Sequence, residues 1–179
     1  MRYSFALLLF VFISSVNILQ AETITVCSNC EIKTIKEAIA HAADFDTLLI
    51  KKGTYREFNI HIDKPLTILG EGLPVIDGED KGEIITVTAD NVTLDGLRVI
   101  NVGTSYTKDY AAIRLIKCKD FVIRNVVLEK FFFGIYLEKA SHGKILNNKI
   151  KGDAVDEFGS GNGIHLWYAK NIEIIGNDI

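Results

Sequence analysis

One unit recurs along the chain and leaves few folds open to it. It is cleanest in residues 112–128, 134–150 and 163–179, where a small residue is followed by Ile-x-Leu: Ile113/Leu115, Ile135/Leu137 and Ile164/Leu166. An aliphatic returns ten residues after the first Ile (Ile123, Ile145, Ile174), and another five later (Leu128, Ile150, Ile179). Weaker copies lie upstream as Ile85-Thr86-Val87 with Leu94, Leu97 and Val99, and as Ile60-His61-Ile62 with Leu66 and Ile68, which makes five.

The step is 22 residues from Ile113 to Ile135 and 25 to 29 elsewhere. Self-similarity at that period marks a solenoid, in which one unit cannot bury its apolar face alone and stacking does so. Leucine-rich repeats share the period but need a longer Leu ladder with an internal Asn. These runs are short, rich in Ile and Val, alternate with polar residues and are punctuated by Gly and Asn, so they read as two or three strands per coil. The expected fold is all-β, a parallel β-helix over residues 58–179.

The first 21 residues stand apart. Arg2 precedes an apolar run over residues 5–16, and Leu19-Gln20-Ala21 resembles a cleavage site, the pattern of a signal peptide that leaves a mature chain starting at Glu22. Without Arg2 the balance is 19 basic to 23 acidic residues with no basic cluster, which argues against nucleic acid as a partner. Residues 22–57 read as an N-terminal cap. Within it Thr34 and Glu37 form a capping box, and Ile35, Ala38, Ile39 and Ala42 make one apolar stripe, predicting a helix over about 34–43 that plugs the open end of the solenoid. Residues 46–50 then read as a strand and 52–55 as a turn. Ile179 is a strand residue with nothing capping it, which predicts coils beyond the sequence in hand.

Helix, Asp46-Thr47, Gly53-Thr54-Tyr55-Arg56-Glu57 and then Asp63-Lys64-Pro65-Leu66-Thr67-Ile68-Leu69-Gly70-Glu71-Gly72 is similar to the opening of many pectin-lyase-like right-handed β-helices. The chain resembles the NosD family more closely still, through Gly134-Ile-Tyr-Leu137, Gly163-Ile-His-Leu-Trp-Tyr168 and Ile174-Ile-Gly-Asn177. That resemblance implies a periplasmic accessory protein without catalysis of its own. It would be docked to the ATPase and membrane subunits of an ABC transporter and assist maturation of the copper–sulfur site of nitrous oxide reductase. ATP hydrolysis would fall to a partner, because no G-x-x-x-x-G-K-[ST] loop occurs here.

Several residues are candidates for binding. The middle residues of the Ile-x-Leu strands, His61, Thr86, Arg114, Tyr136 and His165, should stack into one outward column about 20 Å long. Trp167 and Tyr168 follow it directly. Longer connections at 71–83, 101–111 and 151–162 should pile up beside the column and carry Asp77, Glu79, Asp80, Glu83, Asp109, Asp153, Asp156 and Glu157, an acidic wall suited to Ca²⁺ or to a basic protein surface. Asn148 and Asn177 share one position in successive units and are expected to hydrogen-bond between coils from tight turns. The docking candidates are therefore Arg114, Tyr136, His165, Trp167, Tyr168, Asp153, Asp156 and Glu157.

Cys27 and Cys30 form a C-x-x-C with three readings: a local disulfide, which export favours, half of a Cu(I) or zinc site, or a redox pair. Cys118 reads as a small buried hydrophobe. Copper enters only through the implied maturation role, because Met1 is the sole methionine, the four His are scattered, and His61 and His165 stand about 19 Å apart in the column. Other functions fit the same fold: a polysaccharide lyase or glycoside hydrolase using Arg114 and the acidic loops, or a carbohydrate-binding module using Tyr136, Trp167 and Tyr168.

Overall fold

A computed structural model describes residues 21–105, 107–153 and 161–179. The described chain opens with β1 (Thr23–Val26) and α1 (Ile35–His41). Five strand triplets follow: β2 (Thr47–Ile50), β3 (Thr54–Arg56) and β4 (Ile60–Ile62); β5 (Thr67–Gly70), β6 (Val75–Asp77) and β7 (Ile85–Val87); β8 (Thr93–Asp95), β9 (Arg98–Ile100) and β10 (Ala111–Ile116); β11 (Val122–Arg124), β12 (Val127–Glu129) and β13 (Phe133–Glu138); and β14 (Ser141–Leu146), β15 (Lys149–Lys151) and β16 (Ile164–Trp167). β17 (Lys170–Ile175) comes last. Each triplet is one coil, and corresponding strands stack in parallel into three sheets. The first sheet is β1-β2-β5-β8-β11-β14-β17, the second β3-β6-β9-β12-β15 and the third β4-β7-β10-β13-β16. This is a parallel β-helix.

The repeat maps onto inward rows. Ile60, Ile85, Ile113, Ile135 and Ile164 pair in register along the third sheet, and Leu48, Ile68, Leu94, Ile123, Ile145 and Ile174 along the first. Between the ends these side chains are buried, as stacking requires, whereas Leu166, Ile174 and Ile179 in the last coil are exposed. Two expectations need correction. Residues 54–56 are a strand, β3, because Tyr55 turns inward to start the row Tyr55–Ile76–Val99–Leu128–Ile150. The connection expected over 71–83 is likewise interrupted by β6.

Corners repeat as faithfully as strands. Gly96, Asn125, Asn147 and Gly176 all have positive φ between the first and second sheets, and Lys117, Lys139 and Tyr168 do so where the third sheet hands over to the first. Asn148 and Asn177 thus lie one residue past the left-handed position, which Asn147 and Gly176 occupy. They make the expected inter-coil bonds: Asn148 Nδ2 donates to Asn177 Oδ1 (2.9 Å), and the Val126 amide donates to Asn148 Oδ1 (2.9 Å).

The helix packs on β1, β2 and β4, with Ile35, Ala38 and Ile39 entering the core at its N-terminal end. It spans Ile35–His41 rather than 34–43, since Ala42 is already extended. Thr34 Oγ1 accepts from the Glu37 amide at 3.2 Å, but the Glu37 carboxylate takes the Lys33 amide, so the box closes one residue early. The Ile35 and Lys36 amides are held instead by the buried carboxylate of Glu57 (2.7 and 3.1 Å). At the other end Lys64 Nζ donates to the carbonyls of Ile39 and Ala42 (2.9 and 2.7 Å).

Candidate functional site

The third sheet sets out the polar column. His61, Thr86, Arg114, Tyr136 and His165 are consecutive partners in its register. Its middle is packed rather than free. Arg114 lies 4.2 Å from the Tyr136 ring centroid, Tyr136 lies 4.5 Å from the His165 ring, and Phe133 approaches both at 5.1 and 5.2 Å. Tyr136 is only 9% exposed. Such a ladder gains cation–π and edge-to-face attraction on top of area burial. Tyr136, expected as an outward residue of the column, is therefore part of the packing rather than a solvated side chain.

Glu83 closes the Arg114 end. Its carboxylate is 2.5 Å from Arg114 Nε and accepts from Thr86 Oγ1 at 2.7 Å, while Arg114 Nη2 donates to the Asp109 carbonyl. The pair is mostly covered, so its attraction is less screened than that of an exposed bridge. A lyase reading needs Arg114 available to a substrate, and here its Nε and Nη2 are engaged by Glu83 and the Asp109 carbonyl.

The connections from the second sheet to the third, residues 57–59, 78–84, 101–110, 130–132 and 152–163, carry most of the length variation, at one corner. Among the described residues, several of their acids are engaged rather than free. The Asp77 carboxylate, in β6, accepts from Asn101 Nδ2 and the Glu79 amide (2.8 and 2.9 Å). Burial pushes its pKa up, but these bonds and the charges of Arg56 and Lys130 outweigh that and hold it low. Glu79 pairs with Lys81 at 2.7 Å, and Glu83 with Arg114. Asp80, Asp109 and Asp153 line a cleft of 770 Å³ together with Lys108, Lys130 and Phe132. Asp156 and Glu157 lie outside the described residues. Trp167 and Tyr168, at the opposite edge of the column, are 40% and 72% exposed, with ring centroids 5.4 Å apart and Lys139 Nζ 5.2 Å over Trp167. Nothing in the repeat pattern pointed to Phe133, for which the Phe131-Phe132-Phe133 run before Gly134 was the available signal; Glu83, expected in the acidic wall, instead pairs with Arg114.

A resident metal finds no donor set here. Among the described residues no three His, Cys, Asp or Glu side chains converge. Cys27 and Cys30 face each other across the turn after β1 with Cα atoms 5.0 Å apart and sulfurs at bonding distance, an arrangement that offers no thiolate. Cys118 is buried, which pushes its thiol up to about 11. The imidazoles are spoken for singly: His41 by the Glu37 carbonyl, His61 by Thr88, His142 by Asn171 and His165 by Asn162. Copper needs soft or imidazole ligands grouped within one shell, and these side chains do not supply it.

Comparison with known proteins fits this architecture. The fold resembles a rhamnogalacturonan lyase (TM-score 0.68, 18% identity, 88% of this chain and 51% of that one) and a pectin methylesterase (TM-score 0.53, 18% identity, 87% and 65%), which identifies the right-handed, pectin-lyase-like β-helix and nothing of activity. A protein of Pseudomonas aeruginosa named "Probable ABC transporter binding protein NosD" is 35% identical over 123 residues, covering 68% of this chain and 29% of its own length. Its namesake in Stutzerimonas stutzeri is 24% identical over 120 residues, 66% of this chain and 28% of that one. The chain thus spans less than a third of the length of these relatives, whose names describe binding proteins rather than enzymes. The sequence profile of the family described as "Periplasmic copper-binding protein (NosD)" matches residues 46–179, every coil from β2 onward, and the chain belongs to the NosD family.

Proposed function

We propose that this chain is part of a periplasmic accessory protein for maturation of the copper–sulfur site of nitrous oxide reductase, a non-catalytic β-helix scaffold that docks to an ABC transporter. The family match over residues 46–179 carries the reading, and the relatives' transporter-binding names support it. Residues 1–21 serve as the signal peptide. Copper enters this reading through the maturation role, and no described residue is assigned to hold it. Docking uses the outer edge of the third sheet, where Trp167 and Tyr168 are exposed beside the packed ladder of Arg114, Tyr136 and His165, together with the acids Asp153, Asp156 and Glu157.

The test is complementation of a deletion strain. Trp167→Ala with Tyr168→Ala removes two exposed rings, so the variant should fold and accumulate normally yet fail to restore nitrous oxide reduction or the copper content of the reductase. Full restoration by the folded variant at normal level would overturn the docking assignment.

A further inference from the structure

The edge where the third sheet hands over to the first carries a pattern that docking alone does not explain. Lys117 and Lys139 occupy the same left-handed corner position in successive coils, and Tyr168 occupies it in the next. Lys170 stands two residues beyond Tyr168, in register with Ser141. All three lysines are exposed, and none has an ion-pair partner among the described residues. Lys119, the fourth lysine of this edge, is instead 3.8 Å from Asp90. The remaining acids nearby are Glu138, half-buried and opposite Trp167 in register, and the exposed Asp120. Four lysines thus stand against Asp90, Asp120 and Glu138, a small positive excess in a chain of net charge −3, with the other three lysines exposed and two aromatic rings at the tip. Lys139, Ala140, Ser141, Tyr168 and Lys170 also enclose an open recess of 410 Å³.

From this juxtaposition we infer that the edge rests on an anionic phospholipid surface, with Trp167 and Tyr168 at headgroup depth and Lys117, Lys139 and Lys170 against the phosphates. Trp and Tyr beside Lys is the side-chain set that settles at a membrane interface, since each ring has an apolar body and a polar tip and each lysine reaches outward from an apolar stem. Three coils at about 4.8 Å each give a ridge about 10 Å tall, enough to meet a few headgroups. The recess is of small-ligand dimensions and is lined by two lysines, a serine and a tyrosine, residues suited to one glycerophosphate head. The inference rests on the docking reading of Trp167 and Tyr168 and names the surface they meet.

Trp167 is the only tryptophan in the chain, so its fluorescence reports the contact directly. The exported protein is titrated with vesicles of equimolar phosphatidylglycerol and phosphatidylcholine, in the absence of any transporter. The expected result is a blue-shifted emission that is absent with pure phosphatidylcholine and reversed by high salt. Combined Lys117→Asn, Lys139→Asn and Lys170→Gln, chosen because Asn tolerates the left-handed corner, should lower the vesicle partition coefficient about a hundredfold while leaving the thermal melt unchanged. No shift with anionic vesicles, or an equal shift with neutral ones, overturns the inference. So does an equal shift with glycerol 3-phosphate or polyglutamate at matched charge, which would reassign the edge to a soluble anion or an acidic polypeptide. Failure here, with nitrous oxide reduction still lost in the Trp167/Tyr168 variant, would sink the lipid contact and leave the docking reading standing.

Discussion

Tyr136 shows how much one outward residue of a solenoid can hold. Its ring sits between the Arg114 guanidinium and the His165 imidazole with Phe133 at its edge, so Tyr136→Ala removes the middle of a ladder rather than a solvated side chain. The expected cost is about 2–3 kcal/mol in urea unfolding, whereas His61→Ala, in the exposed first coil, should stay within about 0.5 kcal/mol. Equal costs for the two would mean that the ladder contributes nothing. The cysteines give a counting experiment. A buried Cys118 with a raised pKa is protected from alkylation in the native protein, and a Cys27–Cys30 disulfide leaves neither sulfur free. Native protein should therefore take up no label, denatured protein one, and denatured reduced protein three; three labels without reduction would exclude the disulfide. That Tyr136 points outward was legible from the alternation of Ile135 and Leu137. That it is covered was not, because part of the cover comes from Phe133, at a place where the repeat imposes no pattern.

At the scale of elements, the helix was legible through its apolar stripe and Thr34, but its true N-terminal support was not. Glu57 is 22 residues away in sequence from the Ile35 amide it accepts from, and only the winding of β2 and β3 brings it under the helix. Glu57→Ala leaves two first-turn amides without a partner at a largely buried site. It should cost about 2–3 kcal/mol and make the Ile35 and Lys36 amides exchange before those of β4. Glu57→Gln keeps one acceptor and should recover part of the loss; no difference between the two would show that the contact is incidental. β1 and β3 escaped the sequence reading for a related reason. A strand of three or four residues turns one or two side chains inward, so a period of two has almost nothing on which to register, and the neighbouring Gly53 draws the eye to a turn. The long rows of the first and third sheets were visible because the same inward position recurs five times or more.

At the scale of the molecule the rows act together. Ile135 lies between Ile113 and Ile164 with no polar group at hand, and each coil is held mainly by its two neighbours. Ile135→Asp therefore places an unpaired charge in the middle of the stack and should cost more than about 4 kcal/mol, enough to uncouple the coils on either side of β13. A thermal melt matching the parent would refute the register described above. The concentration of length variation at the corner between the second and third sheets has a separate consequence. Connections as short as 130–132 and as long as 152–163 leave the strands before and after them in unbroken register. The molecule is in effect a graduated ruler whose markings sit about 4.8 Å apart along the axis whatever is hung from them. A partner that grips two coils reads a distance that no insertion at that corner can alter, so recognition can be retuned by lengthening or exchanging one connection while the spacing of every other contact stays fixed.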